Sequence, residues 1–266
     1  MPRLQDEALL LRRTPYGESS LVVHALTRRH GRVHLMAKGA YRPTSRLYCV
    51  LDFFDTLELE WNTGKRRDLA IAARGDRLRR RRSIPESPRR YRAALAMVEL
   101  AELAAQPEHA DRRLFEVLEE GLAGLESEEP ELQLVRFLAR YLDVLGLAPA
   151  LESCAACGRE APPVGGGAKV LFSADMGGRL CASCAAEARA SGQRVGTLSL
   201  RVVELAAMLA RGEEVQGLDP TWLERARDLF ERFLAHHLER SPRLLRESLT
   251  HRSPERTAAG LRTPSP

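Results

Sequence analysis

The sequence predicts an α+β protein: a small closed β-barrel at the N-terminus, then a mostly helical domain carrying an inserted four-cysteine, zinc-finger-like module. Three observations carry this. Residues 6–74 hold five short apolar segments, partly alternating and separated by turn residues. After Pro88 the apolar period lengthens to that of helices. Four of the five cysteines stand in two tetrapeptides, "CAAC" at 154–157 and "CASC" at 181–184, with 23 residues between them.

The expected strands are 7–13, 20–26, 31–37, 50–61 and 68–74, rich in Val, Leu, Phe and Trp. Pro15-Tyr16-Gly17, Gly31, Gly39 to Pro43 and Asn62-Thr63-Gly64 punctuate them. Five short strands in so little chain favour closure, which removes exposed edges. The basic stretch 77–90, "RLRRRRSIPESPRR", reads as a junction and bounds a barrel domain at 1–80. Helices are expected from near Pro88 to about Gln106, at 111–125, at 130–146 between Pro130 and Gly146, at 198–212 and at 220–239. They build a second domain, 81–250, with the cysteine module at 150–190. Residues 251–266, rich in Pro and Ser, are expected to be disordered.

No run of 18 apolar residues is present, so no membrane is expected as a partner. The start, "MPRLQDEALLLRR", has acids before a short apolar core and no small-residue cleavage site, unlike a signal peptide. A cytoplasmic location follows as the expectation. The net charge of +5 conceals an asymmetry. Residues 1–82 carry 18 Lys+Arg against 9 Asp+Glu, or +9, and the remainder carries 23 against 27, or −4. A basic first third suggests a module that faces a polyanion.

The pattern C-x2-C, 23 residues, C-x2-C is the layout of a four-thiolate zinc site, with Cys154, Cys157, Cys181 and Cys184 as ligands. Gly158 allows tight backbone approach at the first knuckle, and "GGG" at 165–167 suits the hairpin between knuckles. Disulfides are disfavoured in a cytoplasmic chain. A redox Cys-x-x-Cys would need one pair in a strand–helix frame, not two pairs. Four thiolates complete a tetrahedron, so Zn2+ here would be structural and leave no position for catalysis. Cys49 reads as a small buried strand residue.

The loop "KGAYRPTSRL", 38–47, gathers Lys38, Arg42 and Arg46 beside Tyr41 and Ser45. Cations and a ring in one loop of a small barrel suit nucleic acid, phosphates meeting the charges and bases meeting the ring. Arg28, Arg29 and Arg32 flank another turn and extend the candidate face, with Arg12 as a further helper. The run 77–82 reads equally as phosphate contact or solvated linker. His236-His237 reads as a surface pair with no carboxylate or third ligand near it. Glu119-Glu120 and Glu128-Glu129 read as solvated faces or loops. No phosphate-binding glycine loop, nucleophile elbow or His-Glu-x-x-His is present, so the protein is not read as an enzyme.

The segment 9–47, from Arg13–Ser19 through Leu26–Arg32 to Ala37–Leu47, resembles the opening of the bacterial RecO family in order and spacing. Tyr41 and Thr44 depart from that pattern, which often has basic residues there. Beyond residue 75 the resemblance is architectural, with "LAHHLERSPRLLRESL" (234–249) similar to the family's closing helix and basic segment. The resemblance implies an oligonucleotide-binding (OB) barrel, a helical domain with a zinc-finger-like insertion, and a non-enzymatic mediator of DNA repair and homologous recombination. It implies binding of single- and double-stranded DNA and annealing of complementary strands. It also implies RecR and the C-terminal tail of single-strand-binding protein (SSB) as partners, with RecA loaded indirectly, at the nucleoid. Two rivals fit the residues: a zinc-ribbon protein of RNA metabolism or transcription, and an enzyme, either thiol oxidoreductase or nuclease.

Overall fold

The computed structural model describes residues 3–63, 69–215 and 217–238. The resemblance beyond 238 and the expected tail at 251–266 lie outside the described residues. Strands β1 (Arg3–Tyr16), β2 (Ser20–Thr27), β3 (Gly31–Ala37), β4 (Thr56–Asn62) and β5 (Ala70–Arg79) close into a barrel in the order β1-β2-β3-β5-β4. β3 and β5 run parallel, with Leu35 opposite Ala70, and β4 returns antiparallel to β1, with Asp6 opposite Leu59. This is an OB-like barrel.

Strand β1 explains its own unbroken apolar run at 8–11. A bulge lies between Leu10 and Arg12. Ala8 and Leu10 fill the barrel, whereas Leu9 and Leu11 join Leu26 and Phe54 in the core of the helical part. A strand buried on both faces loses its apolar–polar alternation.

Two barrel elements differ from the sequence expectation. Residues 50–55 are not strand: Val50 ends a short helix, α1 (Arg46–Val50), and β4 begins only at Thr56. Leu47, Val50 and Leu51 of this turn pack onto the barrel core, so the apolar residues that suggested a strand serve as a plug. Cys49 sits on the outer side of α1 and is exposed, not buried in a strand. Strand β5 runs to Arg79, so half of the arginine run at 77–82 is strand instead of linker.

The helical part comprises α2 (Ser83–Glu86), α3 (Pro88–Ala104), α4 (Arg112–Gly124), α5 (Pro130–Val144), α6 (Ala182–Ala190), α7 (Leu200–Ala210) and α8 (Pro220–His237). Local chemistry starts them. Ser87, Glu129 and Asp219 each precede a proline and accept backbone N–H groups of the first turn, and Asp111 Oδ1 accepts from Leu114 N at 3.0 Å. Gly146, at φ +69°, ends the α5 segment in a left-handed turn whose Leu147 N–H returns to Leu142 O at 2.8 Å. Met97, Phe115, Phe137, Leu142 and Phe230 are buried at the bundle centre. The cysteine module adds a sheet of β6 (Lys169–Ser173), β7 (Gly178–Leu180) and β8 (Gly196–Ser199) in the order β7-β6-β8. β8 takes the first residues of the stretch expected to be helix from 198. Val170 enters the helical core, and the Phe172 ring meets Phe233 of α8 edge-on at 6.1 Å.

The β2–β3 turn ties the barrel to the helices. Arg32 N donates to Gln106 O at 3.0 Å. Gly31 has φ +67°, and a Cβ there would lie 2.3 Å from His109 O, so glycine is required by both conformation and space.

Candidate nucleic-acid interface and metal centre

The four cysteine sulfurs converge as their spacing predicted, all within 4.8 Å of one another. Cys154 and Cys157 lie on a knuckle closed by Gly158, whose N–H reaches Cys154 O at 2.8 Å with φ +71°. Cys181 caps α6 and Cys184 stands in its first turn. The halves are joined by Ala155 N to Arg179 O at 2.8 Å, and Gly178 permits close passage, since a Cβ there would meet Ala150 O at 2.3 Å.

The donor set fits a metal ion. Cys157 and Cys181 sulfurs are 3.9 Å apart. Sulfurs placed about 2.3 Å from a tetrahedral centre would be separated by about 3.8 Å. The electrostatics agree. The Cys181 thiol is drawn down to about 6 by its hydrogen bond to Ser183 and the N–H of Cys184. The Cys184 thiol is pushed up to about 12 by the sulfurs of Cys181 and Cys157. Four thiolates cannot share this volume without a cation to neutralise them.

The eight candidate nucleic-acid residues separate into two sets. Lys38, Tyr41, Arg42 and Arg46 are exposed at one end of the barrel, and none of the three cations is in an ion pair among the described residues. Their loop is ordered by turns, with Arg42 N to Gly39 O at 3.0 Å and Ser45 N to Arg42 O at 2.9 Å. It rests on the β1–β2 turn through Tyr41 N to Ser19 O at 2.9 Å.

Of the other four, Arg12, Arg28 and Arg29 are held by acids and Arg32 by a backbone carbonyl. Arg12 pairs with Glu102 at 2.9 Å, and Glu102 also takes His24 at 3.2 Å. Arg28 reaches Glu7 at 2.9 Å, Glu116 at 3.4 Å and Glu119 at 3.3 Å, with its guanidinium 4.8 Å from the Phe115 ring centre. Arg29 pairs with buried Asp6 at 3.1 Å. Arg32 donates from Nη1 to Glu102 O at 3.3 Å. Three of these four therefore bind the barrel to α3 and α4, and Glu102 of α3 lies against His24 of β2.

Two further sequence readings need correction. Glu119 is not a solvated carboxylate: its side chain is 15% exposed and receives Arg28, Arg79 at 3.1 Å and the hydroxyl of Thr56 at 3.3 Å. His236 does have a carboxylate partner, Asp175 between β6 and β7, at 3.1 Å.

Comparison with known proteins settles the family. The family model for the N-terminal part of recombination protein O matches residues 1–78, and that for its C-terminal part matches residues 85–246. The chain belongs to the RecO family. Among its relatives are three proteins named DNA repair protein RecO. That of a Nocardioides species is 35% identical over 243 residues, covering 89% of this chain and 95% of the relative. That of Frankia casuarinae is 34% identical, with 92% and 98% covered. That of Desulfatibacillum aliphaticivorans is 28% identical, with 92% and 96% covered. RecO membership joins the OB-like barrel and the four-cysteine centre in one DNA repair family. Among the described residues no helix is long and apolar enough to cross a membrane.

Proposed function

We propose that this RecO-family protein binds single- and double-stranded DNA at the open end of its barrel and anneals complementary strands. With RecR it promotes RecA loading on SSB-coated DNA, and the C-terminal tail of SSB is a second protein partner. The observation that carries the DNA site is the contrast between the two arginine sets. Lys38, Arg42 and Arg46 remain free to meet phosphates, whereas Arg12 and Arg28 are neutralised by carboxylates at the barrel–helix junction and Arg32 is turned there towards the Glu102 carbonyl. Arg29, two-thirds exposed although paired with Asp6, is an auxiliary contact.

The mechanism requires no covalent step. Cations that neutralise phosphates release counterions, and the repulsion between two complementary strands falls. The site is therefore non-catalytic. Zn2+ is the metal assigned to Cys154, Cys157, Cys181 and Cys184; when bound it supplies four coordinate bonds that staple residues 150–190 together. The domain division at 80/81 is part of the same reading, supported by the gap between the two family matches. So is a nucleoid-associated place in the cytoplasm.

The test follows pairing of two labelled complementary strands coated with SSB, without ATP, at two salt concentrations. Wild type should pair them, less well as salt rises. The triple variant K38E/R42E/R46E should lose pairing, and its single-strand binding should show a log–log salt slope shallower by roughly 2. Normal pairing by that variant would move the site elsewhere, with exposed Arg80 and Arg82 next in line. A preference for RNA over DNA of the same sequence would instead favour the RNA-metabolism reading.

A further inference from the structure

The barrel end carries more than charge. Tyr16, Tyr41 and Tyr48 are 60%, 39% and 47% exposed. Tyr41 comes from the β3–α1 loop, Tyr48 from α1 and Tyr16 from the end of β1, opposite Ser20. The rings of Tyr41 and Tyr48 lie 5.3 Å apart, tilted by 52°. Two hydrogen bonds hold the loop against the β1–β2 turn: Tyr41 N to Ser19 O at 2.9 Å and Gly39 N to Ser20 Oγ at 3.3 Å. Three elements thus bring three rings to the same end as Lys38, Arg42 and Arg46.

Phosphate contact alone does not account for this arrangement. An exposed ring gains nothing from water, and a cation needs no neighbouring ring to bind a phosphate. A base offers an apolar face that such a ring can cover, but only when the base is not already stacked within a duplex. The packing of α1 supports a built platform. Leu47 and Val50 point into the barrel, which fixes Arg46 and Tyr48 on the outer side of the same turn.

We propose that Tyr41 and Tyr48, with Tyr16 beside them, form a base-stacking platform that makes this end of the barrel favour unpaired bases over duplex. The inference rests on the DNA-binding role proposed above and adds selectivity to it. The cations hold either form of DNA by its phosphates. The tyrosines add affinity only where bases are free, as at gaps and unannealed ends.

The experiment compares three proteins on one single strand and the matching duplex: wild type, Y41A/Y48A and K38E/R42E/R46E. A second strand carries 2-aminopurine, whose fluorescence is quenched by stacking. For Y41A/Y48A the expected result is a loss of about tenfold or more in single-strand affinity, with duplex affinity changed less than about twofold. Its 2-aminopurine signal should lose its response to protein. Y41F/Y48F should keep both responses, because the ring and not the hydroxyl stacks. Equal loss on both DNA forms, or no loss on either, would overturn the platform if the charge variant loses both. Normal binding by the charge variant would overturn the DNA site itself, and the platform with it. Unchanged thermal midpoints check that each variant is folded.

Discussion

Arg81 lies in a run of four arginines yet is 1% exposed. Its Nη1 donates to Phe54 O at 2.6 Å and Thr56 Oγ1 at 3.0 Å, and its backbone N–H to Asp55 at 2.8 Å. Burial lowers its pKa, and the charge of Glu119 opposes that. Nothing in "RLRRRR" marks one arginine as internal, because its partners lie 25 to 38 residues away in sequence. The same holds for Arg28, whose acids on α4 are 88 and 91 residues distant. The cysteines were legible because metal chemistry fixes their type and local spacing. Another buried charge yields a pH prediction. Glu231 on α8 is pushed up to about 7 by desolvation, its nearest cation being Arg227 Nε at 3.5 Å. Arg227 is itself shared with Glu131 of α5 at 2.6 Å. A carboxyl whose folded pKa exceeds its unfolded value binds more protons when folded, so stability falls as pH rises from about 4.5 to about 7. Glu231→Gln should remove that fall and make the protein more stable above pH 7 by up to about 3 kcal/mol. Urea denaturation of both proteins at pH 5 and pH 8 would show it. An equal pH dependence in the two would place the titration elsewhere.

Among the elements, the long helices were readable from their apolar period and, for α3 and α5, from prolines at their starts. Strands β1 to β3 were readable from β-branched and apolar runs between turn residues. Helix α1 was not. It is five residues long, too short for a helical period to emerge, and its apolar residues follow directly into β4. What makes room for it is a glycine in another strand. A Cβ on Gly75 of β5 would lie 3.1 Å from Leu59 Cδ2, 3.3 Å from Val50 Cγ1 and 3.4 Å from Leu47 Cδ2. Gly75→Val should therefore push α1 outward, at a cost of about 1–3 kcal/mol. Single-strand DNA binding should weaken several-fold although no DNA contact is removed, because Arg46 and Tyr48 ride on α1. Binding titrations beside chemical denaturation would test this. Unaltered affinity in a destabilised variant would separate α1 from the DNA site.

For the whole molecule, the charge split of +9 and −4 suggested two independent surfaces. In the fold it is partly spent inside. Glu102, Glu116 and Glu119 of the helices neutralise Arg12, Arg28 and Arg79 of the barrel. The cysteine module stands apart from that junction, reaching the bundle through Val170, Phe172 and the Asp175–His236 pair. If the four cysteines hold Zn2+ as proposed, a chelator, or Cys181→Ser, should loosen residues 150–190 and leave DNA affinity within about twofold. Hydrogen exchange would report the first effect and binding titrations the second. Loss of DNA binding while the barrel amides stayed protected would contradict this division of labour. The double-sided burial of β1 bears on how the chain can be divided at all. A fragment ending at residue 82 would keep the strand-to-strand pairing of the barrel yet turn Leu9, Leu11, Leu26 and Phe54 towards water as one greasy flank. That fragment would tend to associate with itself, and a soluble, isolated barrel calls for polar replacements along that flank.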